Sequence, residues 1–494
     1  MINIQTKKHD RFSVEFKVGF KATNQSGTNE FTMNTWIFIP DRLDINSSTY
    51  SKNQFYRDLH SHIRLITPTF LLREIAQGEA LPMTYLERAF IKMANDPTHK
   101  NITEYEYHIK MFAAIFKSSL RDHIYYIIKP LADEKRCELC DELVNNLRSI
   151  LGRYRALSKI ISVPTVSSEV FGYYQFGDEF ISNILQRQVF RLLDFLKTSL
   201  PETYLLHKQK FIDLIKEEIA YRSKMGYSVV EKHNSNRNRD LVSRAGALKK
   251  YAESELFLTA DKKKDGVLIE QIYYSIAAGA SMIFATAISF SFQQRYGNFT
   301  MPLFVALVVS YMLKDRIKEL IRYYFAHKKS RRFFDNVTTV SINDHVLGWS
   351  KEGVDFIMQK RVPREVMNIR DRTPLLESEN RNSIEKIILY RKLVQLDRKV
   401  LNDNSQYYIS GINDIFRFNL SSFLLKTDDP EVPLFILSEE DDYEEISGSK
   451  VYYLNFVIQL KFGETEEYKR YRVIFNRTGI KEVEELNSSS TFSS

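Results

Sequence analysis

The strongest pattern in the chain is a pair of long uncharged stretches near its middle. Residues 271–294 contain no charged side chain, and after Arg295 residues 296–313 contain none either. A membrane-spanning helix needs about 20 mostly apolar residues. Because only a short turn joins the two stretches, we expect an antiparallel transmembrane hairpin over residues 267–313. A buried hairpin in a soluble core is the alternative, but apolar runs of about 10–14 residues are more typical of that arrangement.

Basic residues flank the two stretches and predict their orientation. Three lysines occupy positions 262–264 before the first stretch, and the turn carries Arg295 alone. Short flanks rich in Lys and Arg stay on the cytoplasmic side of a membrane. The sequence therefore predicts a protein of the cell (inner) membrane with both termini in the cytoplasm. The basic residues after the second stretch are Lys314, Arg316, Lys318, Arg322, Lys328, Lys329, Arg331 and Arg332.

The second stretch is predicted to continue as an amphipathic stalk helix over residues 314–335. Apolar residues recur at Ile317, Leu320 and Tyr324, and basic residues fill the other face. Each basic side chain near an anionic lipid surface contributes about 1 kcal/mol of binding. A bilayer with anionic headgroups is thus the expected partner, and it explains the charge without nucleic acid. The side chains expected to contact headgroups are Lys314, Arg316, Lys318, Arg322, Lys328 and Lys329.

One face of the first stretch carries small and hydroxyl-bearing residues, namely Ser275, Gly279, Thr286 and Ser289. Such residues let membrane helices approach closely. We expect them to pack against the second helix or against another copy of the chain. A polar pore lining is the alternative, but neither stretch contains the acidic or basic residue that ion pathways usually need.

The first 48 residues alternate between apolar and polar positions, as a strand does. Residues 12–20 place phenylalanine or valine at every second position, and residues 31–40 follow a turn-rich segment. The pattern predicts a β-hairpin over residues 1–48.

Residues 49–260 change to the apolar spacing of amphipathic helices, interrupted by prolines. A polar, basic segment at residues 231–240 is expected to be a linker. We predict a helical cytoplasmic region with helices at residues 51–66, 81–95, 103–128, 133–161, 168–199, 202–225 and 240–258.

Residues 336–486 mix both patterns and predict a C-terminal α+β domain with an antiparallel sheet. One helix is expected at residues 383–401. An acidic run at residues 438–445 is expected to be a solvated loop, or else a patch for a basic partner, and residues 487–494 a disordered tail. The predicted fold class is thus an α+β multidomain membrane protein. The expected strands lie at residues 336–343, 407–412, 432–437, 451–462 and 468–475.

Composition excludes several other classes. The chain has 494 residues, 44% of them hydrophobic and 27% charged, with 17 Gly and 12 Pro. This apolar content argues against a disordered chain, and the few Gly and Pro argue against a collagen-like one. The net charge of +8 is mild for this length. A mean hydropathy of −0.32 conceals the two apolar stretches within a polar average.

Residues that could carry chemistry are few and poorly placed. Cys137 and Cys140 form one CxxC without a second pair or a nearby histidine, so ordinary thiols are expected rather than a zinc site. His60 and His62 lie two apart on a predicted helix, where side chains at that spacing face different ways. No P-loop, dinucleotide-binding, nucleophile-elbow, zinc-protease or kinase motif occurs. No catalytic residue, metal or cofactor is predicted.

Together these patterns favour a two-pass membrane protein that acts as a cytoplasm-facing sensor, scaffold or effector, rather than as an enzyme. A membrane-tethered enzyme with a site between its cytoplasmic domains is one alternative. An oligomeric pore-forming effector is another. The small-residue face is compatible with a homo-oligomer, and the cytoplasmic regions with an unknown protein partner.

Overall fold

The protein is an α+β chain that divides into two compact units. The first unit comprises Met1–Ile63, Thr259–Gln406 and Ser410–Ser494, and the second Arg64–Leu258 with Tyr407–Ile409. The computed structural model describes residues 2–23, 27–78, 81–164, 166–298, 300–332, 334–342, 344–370, 385–403, 405–437 and 442–486, with the backbone alone for residues 325–332.

The strands alternate in burial and are numbered in chain order. They are β1 (Ile2–Lys8), β2 (Ser13–Lys21), β3 (Thr28–Ile39), β4 (Leu59–Leu65), β5 (Thr259–Lys264), β6 (Asn336–Ile342), β7 (His345–Ile357), β8 (Lys386–Asp397), β9 (Gly411–Asn419), β10 (Glu431–Leu437), β11 (Tyr443–Ser449), β12 (Tyr452–Phe462), β13 (Thr465–Asn476) and β14 (Gly479–Leu486).

The helices are numbered in the same way. They are α1 (Lys52–Asp58), α2 (Leu72–Gln77), α3 (Leu81–Asn95), α4 (His99–Ile128), α5 (Asp133–Ala156), α6 (Ser158–Ile161), α7 (Ser168–Ser199), α8 (Pro201–Met225), α9 (Ser235–Ala252), α10 (Val267–Tyr296), α11 (Met301–Arg332), α12 (Arg364–Arg370), α13 (Arg398–Asp403) and α14 (Ser421–Leu424).

Two sheets pack face to face in the first unit. The larger has the strand order β14-β13-β12-β3-β8-β7-β6-β5 and is antiparallel throughout, and the smaller has the order β1-β2-β9-β4. Aromatic rings fill the space between them. The ring centroids of Phe16 on β2 and Phe456 on β12 are 5.1 Å apart, and those of Tyr390 on β8 and Phe416 on β9 are 6.3 Å apart. The interior of this sandwich is the main core of the unit.

The outer face of the larger sheet is also covered in its middle. Val362 lies just before α12 and Val366 lies within it. Both pack with Trp36, Phe38 and Val457 of the sheet. Strand β12 is therefore buried on both faces along Leu454–Leu460. The strand predicted at residues 451–462 is confirmed, and a tight turn leads from it to β13, with Phe462 paired to Thr465.

Two predictions for this unit are wrong in their pairing or element type. The leading hairpin consists of β1 and β2, whereas β3 pairs with β8 and β12 in the other sheet. The helix expected at residues 383–401 is the central strand β8, followed by the short helix α13. Its apolar residues fit both the helical spacing and the alternation of a strand. Hydrogen bonding to β3 on one side and to β7 on the other favours the strand.

The second unit is a helical bundle of α2 to α9, and most of its helices match the prediction. The bounds of α3 and α7 coincide with the predicted 81–95 and 168–199. The expected linker at residues 231–240 is wrong in part, because α9 begins at Ser235 and the side chain of Asn234 caps it by accepting from the Arg237 amide at 3.1 Å. The helix predicted for residues 51–66 also ends early, at Asp58, and β4 follows.

Close helix packing in the bundle depends on Gly177 of α7. Tyr154 of α5 stacks on Tyr174 with ring centroids 5.3 Å apart and donates to the Tyr174 carbonyl oxygen at 3.1 Å. A Cβ on Gly177 would overlap the Tyr154 hydroxyl and lie 2.7 Å from Cγ2 of Ile109. Only glycine allows these helices to approach so closely.

Candidate membrane site

The predicted membrane hairpin is inserted between two paired strands. Strand β5 leads directly into α10, and α11 leads back into β6. The two strands pair with each other in antiparallel register, Lys264 opposite Asn336, and the Asp265 amide donates to the Asp335 carbonyl oxygen at 3.1 Å. Both ends of the hairpin are thus fixed to the edge of the eight-stranded sheet.

Helices α10 and α11 expose their apolar side chains instead of burying them. Leu268 is 80% exposed, Ile283 71% and Phe290 66% on α10, and Met301 is 74% and Phe304 62% exposed on α11. Of the most apolar 18-residue window of α10, only 11% is buried. Monomeric soluble proteins rarely expose contiguous apolar surface on this scale, so this surface calls for a lipid or protein covering.

Small residues form the contact between the two helices. Within the described part of the hairpin, Ala277 and Ser281 are the buried residues of α10, and Ala306 and Ser310 those of α11. On each helix the two small residues are four apart, so they lie on one face. This small-xxx-small spacing lets backbones approach closely in membrane helix pairs.

None of the four residues predicted for helix packing is fully buried. Ser275 and Gly279 are exposed, and Thr286 and Ser289 are half-buried. The Thr286 hydroxyl donates to the Met282 carbonyl oxygen at 2.9 Å, and Ser289 does the same to Ala285. Since these hydroxyls are satisfied within their own helix, this face is compatible with lipid or with a second copy. The spacing of Ala277 and Ser281 was the pattern in the sequence that could have located the contact.

The two helices differ in apolar length. By length and composition, among the described residues, α10 alone qualifies as a helix able to cross a membrane. Helix α11 begins at Met301 and meets Lys314, so its uncharged part covers residues 301–313, about 20 Å against a hydrocarbon thickness of about 30 Å. The second predicted span is shorter than expected, because its first residue, Tyr296, ends α10 and helix α11 begins only at Met301.

The basic residues expected at headgroups lie along the continuation of α11, which runs unbroken to Arg332. Lys314 lies 4.4 Å above the ring of Tyr311, and Arg322 lies 4.8 Å above the ring of Tyr274 on α10. Arg316 is exposed and pairs with Glu319 at 3.3 Å, and Lys318 is half-buried. The side chains of Lys328 and Lys329 lie outside the described residues.

Asp335 joins the base of the hairpin to the rest of its unit. Its carboxylate accepts from the Lys52 ammonium at 3.0 Å, from the Tyr56 hydroxyl at 3.0 Å and from the Val354 amide at 2.8 Å. Lys52 also pairs with Asp355 at 2.9 Å. Charge-assisted bonds of this kind are among the stronger polar contacts in proteins, so α1 and β7 hold the point at which α11 re-enters the sheet.

A buried charged cluster lies deeper in the same unit, inside the sandwich. Lys392 of β8 pairs with Asp414 of β9, and both side chains are almost fully buried. Glu352 of β7 accepts from the Tyr390 hydroxyl at 3.0 Å, and Asp414 accepts from the Ser61 hydroxyl at 2.7 Å. Burial would lower the pKa of Lys392, but the carboxylates of Asp414 and Glu352 reverse this and raise it. The Lys392–Asp414 pair thus links a strand of each sheet.

Asp178 is a buried carboxyl group of the helical unit. It accepts from the hydroxyls of Tyr221 at 2.8 Å and Tyr227 at 3.0 Å and from Arg155 at 3.2 Å. Burial raises its pKa, and these three partners oppose the rise. Because its partners all come from the bundle, Asp178 has the surroundings of a satisfied core residue.

The described residues include no group of three or more His, Cys, Asp or Glu side chains placed to hold a metal ion. Cys140 is buried, and burial raises the pKa of its thiol to about 12. His60 and His62 lie on strand β4 rather than on a helix, and both are exposed. Alternation puts them on the same face of the strand, contrary to the sequence-based expectation.

A cavity with a volume of about 1070 Å³ lies where β7 ends and β8 begins. Its apolar lining includes Phe356, Met358 and Met367, and its cationic lining includes Arg364 and Lys386.

Comparison with protein-family models, with curated proteins and with solved structures finds no match for this chain. The function must therefore be inferred from the chain's own geometry.

Proposed function

We propose that the protein is a two-pass integral membrane protein, with α10 and α11 in the bilayer and both termini in the cytoplasm. The hairpin anchors the sandwich and the helical unit at the inner face of the cell membrane, where they act as a sensor, scaffold or effector. The observation that carries the proposal is the exposure of apolar side chains along α10. Their transfer from water into lipid is favourable by about 25 cal/mol for each Å² of apolar surface.

The shorter apolar run of α11 can be accommodated in a bilayer. Lys314 and Arg316 have long side chains that can reach the headgroups while their helix turn lies deeper. Local thinning of the bilayer and tilt supply further adjustment at a modest cost. The basic continuation of α11 then lies at the cytoplasmic headgroups, as the charge rule requires.

A precise deletion tests the anchor. Because Asp265 and Asp335 are paired at the edge of the sheet, residues 266–334 can be replaced by Asn-Gly, which favours a two-residue hairpin turn. We expect the full chain to stay in the membrane fraction through an alkaline wash and the deletion variant to be soluble. Tryptophan fluorescence provides the folding control, since both tryptophans of the chain, Trp36 and Trp349, lie in the eight-stranded sheet. A folded deletion variant that still sediments with membranes would refute the anchor.

Cysteine labelling tests the topology. In a background with Cys137→Ser and Cys140→Ala, single cysteines replace Asn298 in the turn and Lys481 on β14. A membrane-impermeant maleimide should label the first position in intact cells and the second only after lysis. Labelling of both positions from the same side contradicts the two-pass arrangement.

A membrane-tethered enzyme is the second candidate, and the cavity of about 1070 Å³ favours it. Apolar walls with cationic side chains suit an anionic, lipid-linked substrate. Native mass spectrometry of the protein purified from membranes should then detect a bound amphiphile that Met367→Trp displaces. Wild-type protein without such a ligand would count against this candidate.

The pore-forming alternative predicts leakage of dye from vesicles that contain the purified protein. We expect vesicles to stay intact at high occupancy. Ion pathways usually need an acidic or basic residue within the membrane, and residues 271–294 and 296–313 contain none. Leakage that increases with protein density would replace the anchor role with a pore.

A further inference from the structure

Strand β4 presents two histidines on one exposed face. The strand, Leu59–Leu65, forms an edge of the smaller sheet, where it lies next to β9. His60 and His62 are exposed. The side chain between them, Ser61, donates to the Asp414 carboxylate at 2.7 Å, and Asp414 is almost fully buried. Because neighbouring side chains of a strand point to opposite faces, both histidines face away from the interior of the sandwich.

Neither histidine ring is engaged by the rest of the protein. Within the described part of the chain, the rings of His60 and His62 have no hydrogen bond, ion pair or ring contact. By contrast, ring nitrogens of His108 and His123 lie 3.2 Å from a tyrosine hydroxyl oxygen and a backbone carbonyl oxygen, respectively. The ring nitrogens of His60 and His62 are therefore available to a ligand from outside the chain.

The spacing of the two residues allows their rings to meet at one point. A strand rises about 3.3 Å per residue, so the Cα atoms of His60 and His62 are about 6.6 Å apart. Metal–nitrogen bonds of about 2.0–2.1 Å require the two coordinating nitrogens to come within about 3–3.5 Å of each other. Exposed side chains change rotamer within picoseconds to nanoseconds, so the rings can converge while the backbone keeps its strand geometry.

The ligand type selects the ion. Imidazole nitrogen suits Cu²⁺, Ni²⁺ and Zn²⁺, whereas Mg²⁺ and Ca²⁺ prefer oxygen ligands. The described residues place no third His, Cys, Asp or Glu side chain with this pair. A closed structural zinc site has four protein ligands, so a site with two protein ligands is open and exchanges its ion readily.

We propose that His60 and His62 together chelate one divalent late transition-metal ion, Cu²⁺, Ni²⁺ or Zn²⁺, on the outer face of β4. The two neutral imidazoles supply two coordination positions, and water or a donor group of another molecule supplies the rest. The proposal goes beyond the proposed function and does not depend on the membrane anchor, because the pair lies outside the α10–α11 hairpin.

A metal titration of the full chain tests the site. The protein carries Cys137→Ser and Cys140→Ala, so that thiols do not compete, and is purified in mild detergent. Isothermal titration calorimetry with NiCl₂ should show one ion per chain, and MgCl₂ should show no binding. His60→Gln or His62→Gln should each weaken nickel binding on the order of tenfold, because the second imidazole binds at a high effective concentration. The double variant should be little weaker than either single variant, since chelation needs both rings.

Two exposed histidines elsewhere supply the matched control. His99 begins α4 and His233 precedes α9, and both are exposed. His99→Gln with His233→Gln should leave nickel affinity and stoichiometry unchanged. An equal loss in this control would place the ion elsewhere and overturn the proposal. Two ions per chain, one of them lost in each single variant, would show separate sites rather than a chelate, and the absence of saturable binding would also refute it.

Electron paramagnetic resonance of bound Cu²⁺ identifies the ligands directly. The parent protein should show hyperfine coupling to two equatorial nitrogens, and each single variant to one at most. Tryptophan fluorescence checks that every variant is folded, which we expect because both substituted side chains are exposed. A two-nitrogen spectrum that survives either substitution would assign the copper to other ligands and contradict the chelate.

Discussion

The ion pair of Lys392 and Asp414 allows a quantitative test of what joins the two sheets. The pair lies inside the sandwich, and both side chains are almost fully buried. Asp414→Leu removes the carboxylate and leaves Glu352 as the acidic neighbour of the Lys392 ammonium. Glu352 already accepts a hydrogen bond from Tyr390 and forms an ion pair with Lys262. The perturbation thus creates a buried charge with incomplete compensation, without opening a large cavity.

The expected cost of the single substitution is about 3–5 kcal/mol, the range for breaking a buried ion pair by removing one partner. The double variant Lys392→Met, Asp414→Leu removes both charges and should recover most of this loss, because an apolar pair of similar volume is often neutral or stabilising. With a urea dependence of about 2–3 kcal/mol per molar, the single variant should unfold at about 1–2.5 M less urea.

Tryptophan fluorescence in mild detergent measures this unfolding, because Trp36 and Trp349 both lie in the larger sheet. In the Asp414→Leu protein, loss of a carboxylate should depress the pKa of Lys392, so the deficit should shrink as pH rises from 7 to 9. A single variant as stable as wild type would refute the reasoning. So would a double variant no better than the single one, since the lost contact and not the unpaired charge would then be the cause.

Three further outcomes are expected. Gly177→Ala should destabilise the helical unit by about 1–3 kcal/mol, because the added methyl group overlaps its neighbours. Gly172→Ala, whose methyl group meets no atom within 4 Å, should stabilise the unit by about 0.5–1 kcal/mol. Thermal unfolding by far-UV circular dichroism measures both changes, and stability changes of the same sign would contradict the packing account. Burial alone would raise the pKa of Glu352, but neighbouring lysines lower it below its ordinary value of 4.5, so its stabilisation is present above that pH and lost as pH falls through the lowered pKa; urea midpoints from pH 7 to pH 3 should decline, and less so in Glu352→Gln. Maleimide at pH 7 should modify Cys137 before Cys140, whose thiol is buried with a pKa of about 12; equal rates in mass spectrometry would show that the helix opens locally.

Local periodicity was sufficient to predict the helical unit and insufficient for the sandwich. Helices such as α7 carry a long apolar stripe and start after a capping serine, Ser167, and both features are visible in sequence. Strand β8 satisfies helical and strand spacing equally, and its partners β3 and β7 are supplied by distant parts of the chain. No local pattern reveals which strands will pair across such separations.

The candidate site shows the same division. Composition located the apolar helices and their basic flanks, because both are properties of single segments. The contact of Ala277 with the second helix and the bonds of Asp335 to Lys52 depend on how segments meet. The strand predicted at residues 432–437 is β10, but residues 443–445 of the predicted acidic loop belong to its partner β11. The exposure of both faces of this two-stranded ribbon is visible only once the other sheets are complete without it.

The insertion of the hairpin between β5 and β6 orders the events of synthesis. Strand β3 must wait for β8 and β12 before it is paired on both sides, and both are made after α10 and α11. At about 5–20 residues per second, the ribosome needs roughly 10–30 seconds to proceed from the turn of the hairpin to the end of β12. Synthesis of the α10–α11 hairpin is thus complete while β3 still lacks both of its partner strands. Under the proposed function, the hairpin can therefore enter the bilayer before the sandwich closes.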